Sequence, residues 1–178
     1  MSRKITLLTA VLIISIGLHA QSSLSYSLAR TVGGSDLKLL ETNLISSSET
    51  VIATYSSSEI TDYDPGSTTF DNQFGRFITL SSDLAGNVSV IGLNTTNGNI
   101  DFSYTSSTYE LFSVEYFGGK VYSLARPIVG GDMKLLETDL ITGAETVIDS
   151  YPSSELDDYD PGATTFDDQN LRFIILGS

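Results

Sequence analysis

A long internal duplication constrains this sequence more than any other feature. Residues 26–82 and 122–178 align without a gap at a constant offset of 96, and 37 of the 57 aligned positions are identical. The KLLET segment at 38–42 recurs at 134–138. Identity over so long an ungapped alignment indicates a duplicated segment, so both copies are expected to fold in the same way.

The 96-residue repeat corresponds to two smaller units, each of four short predicted strands. A weaker similarity between residues 70–80 and 114–124 places the underlying repeat at about 44–52 residues. Valine, isoleucine, threonine and tyrosine dominate the segments between glycine-containing turns, which is typical of pleated, half-buried strands. In the clearest unit the predicted strands cover 110–116, 120–126, 133–140 and 145–151.

Four antiparallel strands in each unit predict an all-β fold of β-propeller-like blades. Residues 24–55 supply three strands, 68–104 and 109–151 each supply a four-stranded blade, and 164–176 supply two strands. If the first C-terminal strand joins the N-terminal three, the result is an incomplete ring of about three blades with a surplus strand over 172–176. A β-sandwich or a β-solenoid built from the same hairpins is the alternative.

The turns between predicted outer strands carry a family resemblance. The segments 94–98 (NTTNG) and 139–143 (DLITG) resemble the D-x-x-T-G turn of quinoprotein-like and related bacterial propellers, whereas 43–47 (NLISS) lacks the glycine. Three blades are fewer than the usual four to eight. We therefore expect either assembly of several copies through open blade edges or a fragment of a longer propeller.

The N-terminal residues 1–20 have the pattern of a secretory signal peptide. Arg3 and Lys4 precede a mostly apolar run over 5–18, and Ala20 offers a small-residue cleavage site before Gln21. This run is shorter than the about 20 residues that span a bilayer, and no later segment is apolar for long enough. We expect a secreted or periplasmic protein with no membrane span, whose propeller-like domain covers 21–178.

Composition excludes several classes of chemistry. The chain has no cysteine, so disulfides and thiol catalysis are excluded, and its only histidine, His19, lies in the predicted signal peptide. Cleavage leaves seven basic residues against 22 acidic ones, a formal charge of −15. Zinc sites, histidine-based catalysis and electrostatic binding of nucleic acid are therefore not expected.

A repeated acidic motif is the candidate ligand site. Its residues are Asp62, Tyr63 and Asp64 in the first copy and Asp158, Tyr159 and Asp160 in the second, each followed by Pro-Gly. We expect the motif in the connection between blades, on the face where the propellers that this chain resembles bind ligands. Its tyrosines suit a sugar ring, and its carboxylates suit Ca²⁺, at Asp62, Asp64, Asp158 and Asp160. The alternative is a simple tight turn, with glycine at positive φ.

Two acid–base pairs flank predicted hairpin turns. Asp71 with Arg76, and Asp167 with Arg172, are expected to form exposed cross-strand ion pairs that set strand register. No catalytic role is assigned to them.

The function expected from these observations is binding rather than catalysis. We predict a secreted interaction module for a protein or carbohydrate ligand, with Ca²⁺ the one cofactor considered. The alternative is a carboxylate-dependent hydrolase acting on glycans, because paired carboxylates can cleave glycosidic bonds.

Overall fold

Every regular element that the structure describes is a β-strand. The computed structural model describes residues 23–83, 85–152, 154–156, 159–167 and 169–177, with the backbone alone for Pro65, 159–163, 176 and 177. No helix in these ranges is long and apolar enough to cross a membrane. The strands are β1 (Leu24–Arg30), β2 (Leu37–Asn43), β3 (Ser48–Tyr55), β4 (Asp62–Asp71), β5 (Arg76–Ser82), β6 (Val88–Asn94), β7 (Ile100–Thr105), β8 (Tyr109–Leu111), β9 (Glu115–Phe117), β10 (Lys120–Pro127), β11 (Met133–Asp139), β12 (Glu145–Tyr151), β13 (Tyr159–Asp167) and β14 (Arg172–Gly177).

These strands form four antiparallel sheets in chain order. The first sheet is β1–β2–β3 and the second is β4–β5–β6–β7. In the third, β10, β11 and β12 pair in sequence, and β8 and β9 both pair with β10, so that together they occupy the place of one strand. The fourth sheet is β13–β14. The prediction of an all-β chain of antiparallel sheets is confirmed.

The predicted addition of the first C-terminal strand to the N-terminal sheet is wrong for the described strands. There, β13 pairs with β14 in a sheet of its own, and β1 pairs only with β2. The reason is position: β13 lies next to β4 and β9, the first strands of the two middle sheets.

The two copies of the duplication share one pairing register. Tyr26 lies opposite Glu41 in the first sheet, and Tyr122 lies opposite Glu137 in the third. Even the irregularity recurs, because a bulge follows Leu39 in β2 and the equivalent residue in β11. Local sequence therefore specifies both the strands and their alignment.

Side-chain alternation along the strands makes each middle sheet pack on two neighbours. In β5, Phe77 belongs to the core between the first and second sheets, whereas Ile78 and Leu80 belong to the core between the second and third. A third core, which includes Leu124 and Phe173, joins the third and fourth sheets. The sheets thus stack face to face in the order of the chain.

The outermost sheets of this stack expose side chains whose equivalents in the other copy of the duplication are buried. Ser25 and Ser27 of β1 are exposed, whereas their copies in β10, Val121 and Ser123, are fully buried. At the other end Ile174 is 46% exposed although its copy in β5 is fully buried. Equivalent strands therefore differ in burial because, in the described part of the chain, a neighbouring sheet lies on one side only.

Candidate functional site

The acidic motif lies inside a strand, not in a connection between strands. Asp62 pairs with Ser82 at the start of β4, and pairing resumes only where Thr68 meets Thr79. Residues 64–67 therefore lie opposite Leu80 alone and form a bulge. The tight-turn alternative is also wrong, because β4 continues through the motif and Gly66 does not adopt a positive φ. In the second copy, β13 shows the same register shift after Tyr159.

The carboxylate of Asp64 holds the bulge together. Its Oδ1 accepts a hydrogen bond from the backbone N–H of Gly66 at 2.9 Å, and its Oδ2 accepts one from the Ser67 hydroxyl at 3.1 Å. The Ser67 hydroxyl also lies 3.0 Å from the carbonyl oxygen of Phe112 in the third sheet. Asp64 thus shapes the bulge, and Ser67 connects it to the neighbouring sheet.

Asp62 and Tyr63 connect the motif to the first sheet. The guanidinium of Arg30 lies 3.3 Å from Asp62 Oδ1 and also donates to the carbonyl of Thr61. The Tyr63 hydroxyl donates to the carbonyl of Leu28 at 2.8 Å. The Tyr63 hydroxyl is thereby committed to a protein acceptor. The Asp62 side chain is 68% exposed, and the bonds that it accepts from Arg30 and the Tyr63 N–H both go to Oδ1.

Beside the motif, a cleft of about 280 Å³ lies between the second and third sheets. We call it the interface cleft. Three carboxylates line it together with two serine hydroxyls and an apolar patch, and none of the described residues that line it is basic. The lining residues are Asp62, Tyr63, Asp64, Leu80, Ser81, Ser82, Val88, Glu110, Leu111 and Phe112.

This lining selects for particular ligand chemistry. Ionised carboxylates only accept hydrogen bonds, so the cleft favours ligands rich in hydroxyl, amide or ammonium donors and disfavours anions. The apolar patch offers contact to C–H groups, as small-molecule sites commonly do.

The structure brings together only half of the predicted site. Asp158 lies outside the described residues, and the side chains of Tyr159 and Asp160 are not described. Among the described residues, no three acidic or histidine side chains are grouped so as to hold a metal ion. The Ca²⁺ site therefore stays a prediction.

A second cleft, which sequence reasoning missed, has Glu115 among its lining residues. It measures about 400 Å³ and lies where β4, β9 and β13 run side by side. Hydroxyls from two of these strands, Thr69 and Thr164, face the carboxylate, and burial raises the pKa of Glu115 to about 7. We call this the inner cleft. The available signal was an acidic residue flanked by apolar residues in a predicted strand.

Comparison with known proteins gives limited similarity. No protein-family model matches this sequence, and no curated protein is similar to it. Among solved structures, a chain of the crystal structure of the nidogen/laminin complex is similar, with a TM-score of 0.46 and 12% sequence identity. The match covers 73% of this chain and 43% of that chain.

Proposed function

We propose that this chain is a secreted, propeller-like binding module whose interface cleft holds a sugar residue of a carbohydrate ligand. The observation that carries the proposal is the lining of that cleft, where three carboxylates lie beside an apolar patch. None of the described lining residues is basic, and Arg30 pairs with only one of the three carboxylates, Asp62. Of the protein and carbohydrate ligands expected from the sequence, this chemistry favours the carbohydrate.

The arrangement of the sheets supports the propeller-like architecture. Four antiparallel sheets stack in chain order, and the first strands of the last three lie next to one another. Blades that surround a common axis bring their first strands together in this way.

The pattern of residues 1–20 supports secretion or export to the periplasm. N-terminal sequencing of the exported protein is expected to begin at Gln21. Retention of the full chain in the cytoplasm would contradict the proposed location.

Within the interface cleft, Asp62 and Glu110 are the residues expected to accept hydrogen bonds from sugar hydroxyls. Both side chains are exposed. Asp62 accepts hydrogen bonds from Arg30 and from the Tyr63 N–H at Oδ1 only, whereas Asp64 uses both of its carboxylate oxygens to maintain the bulge. Val88 and Leu111 lie beside them and suit the C–H face of a sugar ring.

A glycan hydrolase is the second candidate, and the raised pKa of Glu115 is the observation that favours it, because a general acid must be protonated near neutral pH. Asp71 lines the same inner cleft. However, Asp71 already accepts hydrogen bonds from two backbone N–H groups and from Arg76, so it is a poor nucleophile. Binding therefore ranks first.

A glycan array followed by calorimetry tests the binding proposal. We expect Asp62→Asn and Glu110→Gln each to weaken binding of the selected glycan about tenfold, the loss of one or two hydrogen bonds to a charged acceptor. Glu49→Gln, which changes an exposed carboxylate on β3 away from the cleft, is the matched control. Absence of any bound glycan, or equal affinity of all three variants, would contradict the proposal. Glycan cleavage lost in Glu115→Gln would favour the hydrolase.

A further inference from the structure

A further cleft borders the interface cleft at one end of the second sheet. It measures about 380 Å³ and lies on the side of the first sheet, because its wall includes Ile91, which belongs to the core between the first and second sheets. We call it the hydroxyl cleft, since six of its described lining residues carry a hydroxyl group: Ser58, Thr61, Ser81, Ser82, Ser89 and Ser103.

The hydroxyl cleft and the interface cleft meet over the end of the second sheet. Ser81 and Ser82, the last residues of β5, line both clefts. In β6, Val88 lines the interface cleft and Ser89 lines the hydroxyl cleft, because consecutive residues of a strand point to opposite faces of the sheet. A ligand that occupies both clefts therefore passes over the last paired row of the sheet, where Ser82 lies opposite Asp62.

Arg30 fixes the rim that separates the two clefts. Its guanidinium donates to the carbonyl oxygen of Thr61 at 3.0 Å and to Asp62 Oδ1 at 3.3 Å. Thr61 lines the hydroxyl cleft and Asp62 lines the interface cleft. The two clefts are thus held in a fixed relation before a ligand binds, which reduces the entropy lost on binding.

The lining of the hydroxyl cleft suits the same ligand chemistry as that of the interface cleft. A hydroxyl group both donates and accepts hydrogen bonds, so this lining can pair with sugar hydroxyls in either sense. The carboxylate of Glu59 already accepts hydrogen bonds from the N–H and the hydroxyl of Ser56. The carboxylate of Asp83 accepts them from the N–H groups of Ala85 and Asn87. None of the described residues that line this cleft is basic, so it disfavours anions as well.

We propose that the hydroxyl cleft is a second sugar subsite, and that the ligand is a neutral oligosaccharide of at least three residues that crosses the end of the second sheet. This inference rests on the proposed binding of a sugar residue in the interface cleft. That cleft, at about 280 Å³, is smaller than the about 300–1,000 Å³ typical of ligand pockets. The hydroxyl cleft supplies the remaining volume, with one sugar residue in each cleft and one over the row between them.

Calorimetry with the exported chain tests this inference. The probes are neutral glucose, mannose and xylose oligomers, each series running from one to six sugar residues. In a series that binds, we expect the affinity to rise at least tenfold from the monosaccharide to the trisaccharide, because only the longer ligand reaches both subsites at once.

Ser103→Phe is the variant that blocks the hydroxyl cleft. Ser103 is exposed on β7, the edge strand of the second sheet, and strands tolerate aromatic residues. The variant is expected to weaken trisaccharide binding at least tenfold, to the level of the monosaccharide. Thr54→Phe, at an exposed position of the edge strand β3 that lines neither cleft, is the matched control and is expected to leave binding unchanged. If Ser103→Phe fails to fold in a thermal melt, Ser103→Gln places a polar side chain in the same space and is expected to act in the same direction.

The outcomes separate this inference from the proposed function. Equal affinities for the monosaccharide and the trisaccharide, or a gain with length that the Ser103 variants leave intact, would overturn this inference alone. Asp62→Asn is expected to weaken binding of every length, since it acts in the interface cleft. Absence of binding by all of the oligomers would contradict the proposed function and this inference together.

Discussion

Asp71 and Arg76 lie directly opposite each other across β4 and β5, and the Asp71 side chain is fully buried. Arg76 Nε donates to Asp71 Oδ2 at 2.8 Å, and the guanidinium lies over the rings of Phe74 and Phe102. The ion pair predicted from the sequence is present, but it is buried rather than exposed. Its copy keeps the arginine, Arg172, 65% exposed.

This difference predicts unequal effects of the same substitution in the two copies. Asp71→Asn leaves a shielded guanidinium without its carboxylate and is expected to destabilise the fold by about 3 kcal/mol. Asp167→Asn removes a pair whose arginine is exposed, in which a hydrogen bond from Arg172 lowers the pKa of Asp167 to about 2, and is expected to cost much less. Urea denaturation of both variants measures the loss in free energy of unfolding, and equal losses would contradict the prediction.

At two turn positions, one copy has glycine and the other copy has a different residue. Ser47 and Leu171 have positive φ values of 55° and 53°, and the equivalent residues in the other copy are Gly143 and Gly75. Because the turn requires a left-handed conformation, each non-glycine residue at these positions destabilises the fold. We expect Ser47→Gly and Leu171→Gly each to raise the free energy of unfolding by about 1 kcal/mol, measured by chemical denaturation. As a control, Ser46→Gly is expected to give no gain.

Gly98 is required both for its backbone conformation and for close packing. Its φ is 75°, and an added Cβ would lie 2.2 Å from the Cβ of Ala53 in the neighbouring sheet. Gly98→Ala is expected to lower stability by about 3 kcal/mol, because it combines overpacking with a strained φ. Gly33 has a similar φ but open space around it, so Gly33→Ala is expected to cost about 1 kcal/mol. Thermal melts of the two variants distinguish these effects.

Glu115 is expected to make stability depend on pH. Burial raises its pKa from 4.5 to about 7, so the unfolded chain loses this proton before the folded one as the pH rises. Stability contributed by the protonated form is therefore full below pH 4.5 and is lost as the pH rises to about 7. Glu115→Gln is expected to melt at a higher temperature than the parent at pH 8, with little difference at pH 4.5. The exposed Glu110→Gln variant is the control, and a pH-independent difference would contradict this prediction.

The open faces of the outermost sheets are expected to cause self-association. Size-exclusion chromatography with light scattering on the exported chain measures it. A discrete oligomer would agree with the assembly expected from the sequence, whereas irregular aggregates would agree with a fragment of a longer propeller. A strictly monomeric chain at high concentration would contradict both.

The turns between outer strands show how far a local sequence motif predicts turn conformation. Asp139 accepts hydrogen bonds from Ile141 and Thr142 in the DLITG turn, and Asn43 does the same for its own turn although no glycine follows. The asparagine or aspartate side chain therefore defines this turn more than glycine does. The sequence of this turn, which lacks the glycine, did not predict that Ser47 would adopt the positive φ of its equivalent, Gly143.

The acidic motif shows why a turn-like sequence can mislead. Asp-Pro-Gly interrupts strand pairing in either a turn or a bulge, and the side-chain acceptor of Asp64 serves both. Only the pairing of Asp62 and Tyr63 with β5 distinguishes the two. Similarly, the predicted strand over 110–116 is divided into β8 and β9. Between them, the Ser113 hydroxyl accepts a hydrogen bond from the N–H of Leu124 in β10.

The sequence by itself determined the strands, their antiparallel register and the equivalence of the two copies, because alternation and turn chemistry act within a few neighbouring residues. Tertiary structure alone decided which copy of each residue is buried. Ile78 is buried and Ile174 is exposed, although their local sequences match closely, since burial depends on the sheet that packs against them. For the same reason, only the assembled sheets created the interface cleft and the inner cleft.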